Sequence, residues 1–149
     1  MADADVLPYD YEEYGREVAF YLDAARKRVQ GKFGDRALDL NGATAAAKHF
    51  QEAGAKILSR QKNPPRDAAR LNQVLRRAER ALLVQEGLPH RPWFRHAIYA
   101  PGEYTGYAAV VIPGVNEALD KGDAERVRQQ LAVLTAAPER AARALEGYR

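Results

Sequence analysis

The segment from Gly87 to Gly114, GLPHRPWFRHAIYAPGEYTGYAAVVIPG, sets the terms on which this chain can fold. Pro89, Pro92, Pro101 and Pro113 break any helical register in it, because proline lacks a backbone donor and clashes with the preceding turn. The same segment carries Trp93, Phe94, Ile98, Tyr99, Val110, Val111 and Ile112, side chains that prefer burial. A connection of more than about 20 residues without a helical pattern is unusual in a compact domain, and where one occurs it is a lid, a binding loop or a packed surface loop. The rest of the chain must therefore form a scaffold around an ordered loop, and function is expected to concentrate in that loop.

The scaffold reads as helical. Tyr11, Tyr14, Val18, Tyr21, Leu22, Ala25 and Val29 recur at three- and four-residue spacing and share one face. Asp10 with Glu13 three residues on forms a capping box, and Gly31 and Gly34 supply a stop, which places a first helix at 10–32. A second, at 42–62 behind the cap Asn41, carries small residues (Ala43, Ala46, Ala47, Ala53, Gly54) that allow close packing, with Phe50, Ile57 and Leu58. Asn63, Pro64 and Pro65 end it and open a third, which runs through Leu71, Val74, Leu75, Ala78, Leu82 and Leu83 up to Gly87. A short helix at 114–121 stops at Gly122, and a last long one starts at the cap Asp123 with Val127, Leu131, Leu134, Ala141 and Leu145 on one face. Pro138 inside it predicts a kink or break near Ala137. The expected architecture is all-α: a four-helix-bundle-like domain with one extra short helix and a long ordered loop, in which 108–112 has the composition for an extended run and is treated as part of the ordered loop.

At 149 residues with 46% hydrophobic content the chain has the size and core of one domain, 1–149. It has no run of about 20 apolar residues, and its acidic start predicts neither a membrane span nor a secretory leader. The lack of cysteine excludes disulfides and thiolate metal sites but leaves the compartment open. The net charge of +3 is unevenly spread. Up to residue 23, Asp3, Asp5, Asp10, Glu12, Glu13, Glu17 and Asp23 face Arg16 alone, whereas 60–95 carries Arg60, Lys62, Arg66, Arg70, Arg76, Arg77, Arg80, Arg91 and Arg95 against Asp67, Glu79 and Glu86. The plain reading is of solvated helix faces that attract each other within the fold. The alternative is a basic helical module for nucleic acid, with Arg66, Arg70, Arg76, Arg77 and Arg80 along one helix and Trp93 for stacking. That alternative requires retention on heparin and affinity that falls steeply with salt; basic charge alone does not specify it.

Catalytic chemistry is sparse. His49, His90 and His96 show no helical spacing to another histidine or acid of the kind a zinc peptidase uses, so no metal site is expected within the chain. His49 reads as part of a solvated face, while His90 and His96 flank the aromatic loop within reach of its backbone. Ser59 is the only serine and lies on a helix beside Arg60, without the glycine-bracketed elbow of a hydrolase. Tyr104, Thr105, Gly106 and Tyr107 do not follow a phosphate-loop pattern.

The loop does resemble a known family. Gly87, Leu88, Pro89, Arg91, Pro92, Arg95, His96, Ile98, Tyr99, Ala100, Pro101, Tyr107, Ala108, Pro113 and Gly114 fall in the order and spacing of the transferrin receptor-like dimerisation domain, the C-terminal helical domain of glutamate carboxypeptidase II-like zinc peptidases. The similarity runs from LPYDY at 7–11 through RVRQQL at 126–131 and so covers nearly the whole chain. It implies a non-catalytic domain whose partners are its own twin and the peptidase domain of a parent enzyme, with no nucleic acid and no membrane. It implies no cofactor in this chain, two zinc ions held upstream in the parent, and a secreted, periplasmic or membrane-anchored location for that parent.

The resemblance also bears on the substrate. Family members specific for glutamate place a lysine and a tyrosine side by side in this loop to hold the C-terminal carboxylate; here those positions are Gly106 and Tyr107. Tyr107 keeps a hydroxyl able to donate, but the missing lysine removes a charge-assisted contact of about 1.5–3 kcal/mol. The simpler reading of Tyr107 is a packed aromatic with a satisfied hydroxyl. Trp93, Phe94 and Tyr99 are expected to anchor the loop on the bundle, and Arg95 and His96 to pair with acids of this domain or of the parent's other domains.

Overall fold

The computed structural model describes residues 5–34, 38–66, 68–104, 106 and 108–148. Tyr107, Asp3 and Asp67, which the sequence reading invokes, lie outside the described residues. Helix α1 spans Tyr11–Phe33, and the Asp10 carboxylate accepts the Glu13 N–H at 2.9 Å, as the capping box predicts. It ends at Gly34, whose φ of +60° lets its N–H turn back onto the Gln30 carbonyl. Tyr11, Gly15, Val18, Leu22, Ala25 and Val29 form its buried face.

Helix α2 (Asn41–Lys62) starts one residue earlier than expected. Asn41 is already helical and caps nothing; instead the Asp39 carboxylate accepts the Asn41 N–H at 2.8 Å. Helix α3 covers Ala68–Ala81 and stops well short of Gly87. Its last turn tightens, with Leu82 N–H on Glu79 and Leu83 N–H on Arg80, and the loop then captures the chain, since Val84 N–H donates to the Arg95 carbonyl at 2.8 Å. Helix α4 (Pro113–Lys121) has proline in its first turn and Gly122 at its end. Helix α5 (Ala124–Glu146) starts at Asp123, which accepts the Arg126 N–H at 3.0 Å.

Along α5, of the kink or break expected near Ala137 no break is found, and along α2 the reading of His49 is corrected. The helix does not break at Pro138, which is buried within an unbroken α5. An internal proline costs about 3 kcal/mol, and α5 offsets this by packing against α2, α3 and α4 at once. His49 does not lie on a solvated face: Nδ1 meets Glu139 at 2.8 Å and Nε2 meets Glu146 at 3.0 Å, so the imidazole clasps α2 to α5. Those hydrogen bonds, to Glu139 first and Glu146 second, push the His49 pKa up, and His49 in turn lowers that of Glu139.

The molecule is an all-α bundle of four long helices with short α4 beside α5. Its small sheet lies inside the loop: β1 (Tyr99–Pro101) and β2 (Ala109–Val111) pair antiparallel, Tyr99 opposite Val111 and Pro101 opposite Ala109. The run around 108–112 is therefore partly extended rather than plain loop. Tyr11, Leu22, Phe50, Leu71, Leu75, Ile98, Ile112, Leu119 and Leu145 fill the core; burying each of these larger side chains contributes about 1.5–3 kcal/mol. Where α1 crosses α2 the backbones touch. A Cβ on Gly54 would sit 2.3 Å from the Tyr11 carbonyl carbon, and one on Gly15 2.5 Å from the Gln51 nitrogen.

Candidate functional site

The loop between α3 and α4 is held by its own backbone. Ala97 N–H donates to Leu82, Leu88 N–H to Phe94 and Phe94 N–H to Arg91, each within 3.1 Å, so the chain folds back on itself twice before β1. Gly87, at φ +70°, passes so close to Pro92 that a Cβ would lie 2.2 Å from the Pro92 carbonyl oxygen. After β2, Ile112 is fully buried at φ +37°, a strained setting for a β-branched residue. It is pinned by its N–H on Ile98 (2.7 Å) and by its carbonyl, which accepts from Val115 and Asn116. His90 is the other non-glycine residue with positive φ among the described residues, and it too lies in this loop.

A buried charge cluster ties the loop to the bundle. Arg91 donates to the Pro101 carbonyl and, at 2.5 Å, to Oε1 of Glu117 on α4. Arg126 of α5 stands 3.9 Å from the other oxygen of the same carboxylate. All three side chains are more than nine-tenths buried, and Arg91 Nε, Arg126 Nε and Nη2 and Glu117 Oε2 have no hydrogen-bond partner. One carboxylate thus serves two buried guanidiniums. Sequence reasoning missed Glu117 and Arg126; the legible signal was an acid among Val115, Ala118 and Leu119 on the apolar side of α4.

Beside the loop, α1 and α3 leave a groove of about 680 Å³. Tyr14, His96 and Tyr99 form its aromatic floor, the Tyr14 and Tyr99 rings stacked at 5.9 Å. His96 Nδ1 accepts the N–H groups of Ile98 (3.2 Å) and Tyr99 (3.3 Å), which leaves the proton on Nε2, where it points to Glu79 at 3.3 Å. Tyr99 donates to Glu17 at 2.8 Å and receives the Tyr21 hydroxyl at 3.2 Å. Burial first, then neighbouring carboxylates, raise the Tyr14 pKa; for Tyr99 burial is followed by its bonds to Tyr21 and Glu17. Both hydroxyls therefore stay protonated at neutral pH, and the negative charge of the groove rests on Asp10, Glu13, Glu17 and Glu79.

The residues singled out from sequence are spread over this region. His96 and Tyr99 meet in the groove, and Phe94 lies half-buried under the Arg91 guanidinium, 5.3 Å from its ring centre. Arg95 is exposed and donates to the Val84 carbonyl at 3.1 Å rather than to an acid. Trp93, expected to anchor the loop by burial, instead stands 69% exposed with only Phe94 beside its ring, because the turn that buries Arg91 aims the next side chains outward. Gly106 sits at the loop tip at φ +64° with open space around it, near the exposed Tyr104, whose ring lies under Lys121. Among the described residues no three His, Asp or Glu side chains converge so as to hold a metal, and no helix is long and apolar enough to cross a membrane.

Known proteins are similar to this sequence. The model of the transferrin receptor-like dimerisation domain matches residues 36–146. A probable glutamate carboxypeptidase of Arthroderma benhamiae is 35% identical over 133 residues, covering 85% of this chain and 18% of its own length. A probable glutamate carboxypeptidase of Arabidopsis thaliana is 31% identical over 157 residues, 99% of this chain and 22% of the relative. An inactive zinc metalloprotease of Schizosaccharomyces pombe is 27% identical over 158 residues, 95% of this chain and 19% of the relative. This chain thus spans about a fifth of the length of the relatives it matches. On that match and on the helical fold, the chain belongs to the transferrin receptor-like dimerisation domain family.

Proposed function

We propose that the chain serves as the non-catalytic homodimerisation domain of a glutamate carboxypeptidase-like zinc peptidase, and that loop 87–114 helps to shape the substrate pocket of the parent. The family match over 36–146 carries this reading. The loop supports it: backbone bonds, the Arg91–Glu117 pair and the strained Ile112 hold its base, while Tyr104 and Gly106 extend from a short hairpin. Such a rigid base under a projecting tip is how a scaffold offers residues to a neighbouring domain. Among the described residues no side chains fit a metal centre, so no zinc-dependent step is assigned to them; in this reading the two zinc ions belong to the parent's peptidase part.

Tyr107 would donate its hydroxyl to a substrate carboxylate, while Gly106, at the tip, offers no charge where glutamate-specific members carry lysine. The parent is therefore expected to discriminate weakly for a C-terminal glutamate. Sedimentation equilibrium of this chain tests the dimer: a monomer up to hundreds of micromolar refutes it. In the parent, Tyr107→Phe should raise KM for peptides with a free C-terminus by about tenfold, the worth of one hydrogen bond to a charged group; an unchanged KM removes Tyr107 from the pocket.

A further inference from the structure

The groove floored by Tyr14, His96 and Tyr99 carries acids on both walls, Glu13 and Glu17 on α1 and Glu79 on α3, and neither lysine nor arginine is among its lining residues. Glu13 is neutralised by Arg16. Glu17 and Glu79 are held only by neutral donors of the floor: the Tyr99 hydroxyl donates to one oxygen of Glu17 at 2.8 Å, and His96 Nε2 donates to one oxygen of Glu79 at 3.3 Å. Each bond orients a carboxylate and leaves its second oxygen open to another donor among the described residues' contacts. Burial first, and then the charges of Glu79 and Glu17, raise the Tyr14 pKa, so both carboxylates act on the same part of the floor. Tyr99 stacks on Tyr14 at 5.9 Å and on His96 at 6.2 Å, with interplanar angles of 21° and 27°. Aromatic rings flanked by carboxylates suit a guanidinium, which is planar, stacks on ring faces and donates in a fork, better than a compact ammonium.

The groove continues beyond the rings. A second hollow of about 380 Å³ shares Glu13 and Glu17 with it and runs on to Tyr21 and to Phe20, which is 71% exposed. Arg16 also lines this hollow, but Glu12 and Glu13 engage its guanidinium. Together the two spaces match an occupant that carries a cationic head and an apolar group side by side on one backbone. We infer that the groove is a docking site for an arginine-bearing segment of a partner polypeptide, whose guanidinium stacks over Tyr14 and Tyr99 between Glu17 and Glu79 while a neighbouring apolar residue covers Phe20. Two acids that repel each other across the groove then share one counter-ion, and the rings and Phe20 lose their water. The inference is independent of the homodimer proposed above and holds for a monomer as for a dimer.

The probe is the tripeptide Leu-Arg-Leu, acetylated and amidated, titrated at low salt into the isotopically labelled chain with backbone amide shifts as the readout. It should bind with a dissociation constant of about 1 mM or below and move the amides of Glu17, Ile98 and Tyr99 most. Citrulline in place of the arginine keeps the shape and loses the charge, and should weaken binding at least about tenfold. Gly-Arg-Gly should bind about three- to tenfold more weakly than Leu-Arg-Leu, and Phe20→Ser, at an exposed position, should abolish that difference. Glu79→Gln should weaken Leu-Arg-Leu at least about fivefold, whereas Glu125→Gln, exposed at the start of α5, should leave it unchanged. Thermal melts check that each variant is folded; if Glu79→Gln is not, the peptide series and Phe20→Ser decide. Equal binding of the arginine and citrulline peptides, shifts that lie away from the groove, or a Phe20→Ser chain that still distinguishes leucine from glycine overturns the inference. Methylguanidinium binding as tightly as Leu-Arg-Leu also overturns it, because the groove would then serve a free organic cation.

Discussion

Replacing Glu117 by glutamine should cost far more stability than removing Arg126, the guanidinium it holds less closely. Glu117 neutralises Arg91 at 2.5 Å and faces Arg126 at 3.9 Å, and all three side chains are at least nine-tenths buried. Glu117→Gln keeps the shape but leaves two buried cations without a counter-ion, and breaking a buried pair in this way costs about 3–5 kcal/mol. A domain of this size has a total stability of about 5–15 kcal/mol, so the variant loses a large share of it. With a urea slope of roughly 2 kcal/mol/M, the midpoint should fall by about 1.5–2.5 M. Arg126→Met removes the cation whose Nε and Nη2 find no acceptor and leaves the Arg91–Glu117 pair intact. The relief of its desolvation offsets the lost attraction, and the midpoint should move by less than about 0.5 M in either direction. Urea unfolding followed by helical circular dichroism measures both. If Arg126→Met destabilises as much as Glu117→Gln, Arg126 is a full partner of the carboxylate and the reasoning is wrong.

Three further outcomes follow from the same structure. The stability difference between wild type and His49→Gln should peak between about pH 4.5 and 6.5, fading above as the raised His49 pKa is passed and below as Glu139 takes up a proton; a difference that grows above pH 8 in chemical unfolding would contradict the clasp. Gly54→Ala should destabilise by about 1–3 kcal/mol or more despite alanine's better helix propensity, because its Cβ meets the α1 backbone, whereas Gly31→Ala, with nothing within 4 Å, should gain up to about 1 kcal/mol. Trp93, the only tryptophan, should emit as a solvent-exposed indole and be quenched readily by iodide in the isolated chain; a blue-shifted, protected emission would place it in a contact not seen within one molecule.

What was legible in the sequence was whatever depended on neighbours along the chain. Periodicity and caps located α1, and the start of α5, to within a residue, since Asp10 and Asp123 act on N–H groups three residues away. The larger misreadings came from partners distant in sequence. Pro138 is carried by three neighbouring helices, His49 answers to carboxylates some 90 residues on, and α3 ends early because Arg95 takes the Val84 N–H. The candidate site divides the same way. His96 was read as flanking the loop backbone, and it does accept from Ile98 and Tyr99 two and three residues on. The groove it helps to floor needs α1, α3 and the loop together, and no local pattern announces a space between elements. The triad was hidden for the same reason, its members being drawn from the loop, α4 and α5.

Two missing methyl groups where α1 crosses α2, one on each helix, govern what happens on the outer side of α1. With Gly15 and Gly54 letting main chain rest on main chain, α1 has no cushion of side chains over which it could slide or roll against α2. Its heading is therefore fixed like that of a beam notched into a post. Glu13 and Glu17 ride on that beam, so the spacing of the acidic edge from α3 is decided at a joint on the opposite face of the helix. An alanine at position 54 should then act at a distance: by tilting α1 it would shift Glu13 and Glu17 relative to Glu79 and His96 across the groove, without touching any residue that lines it.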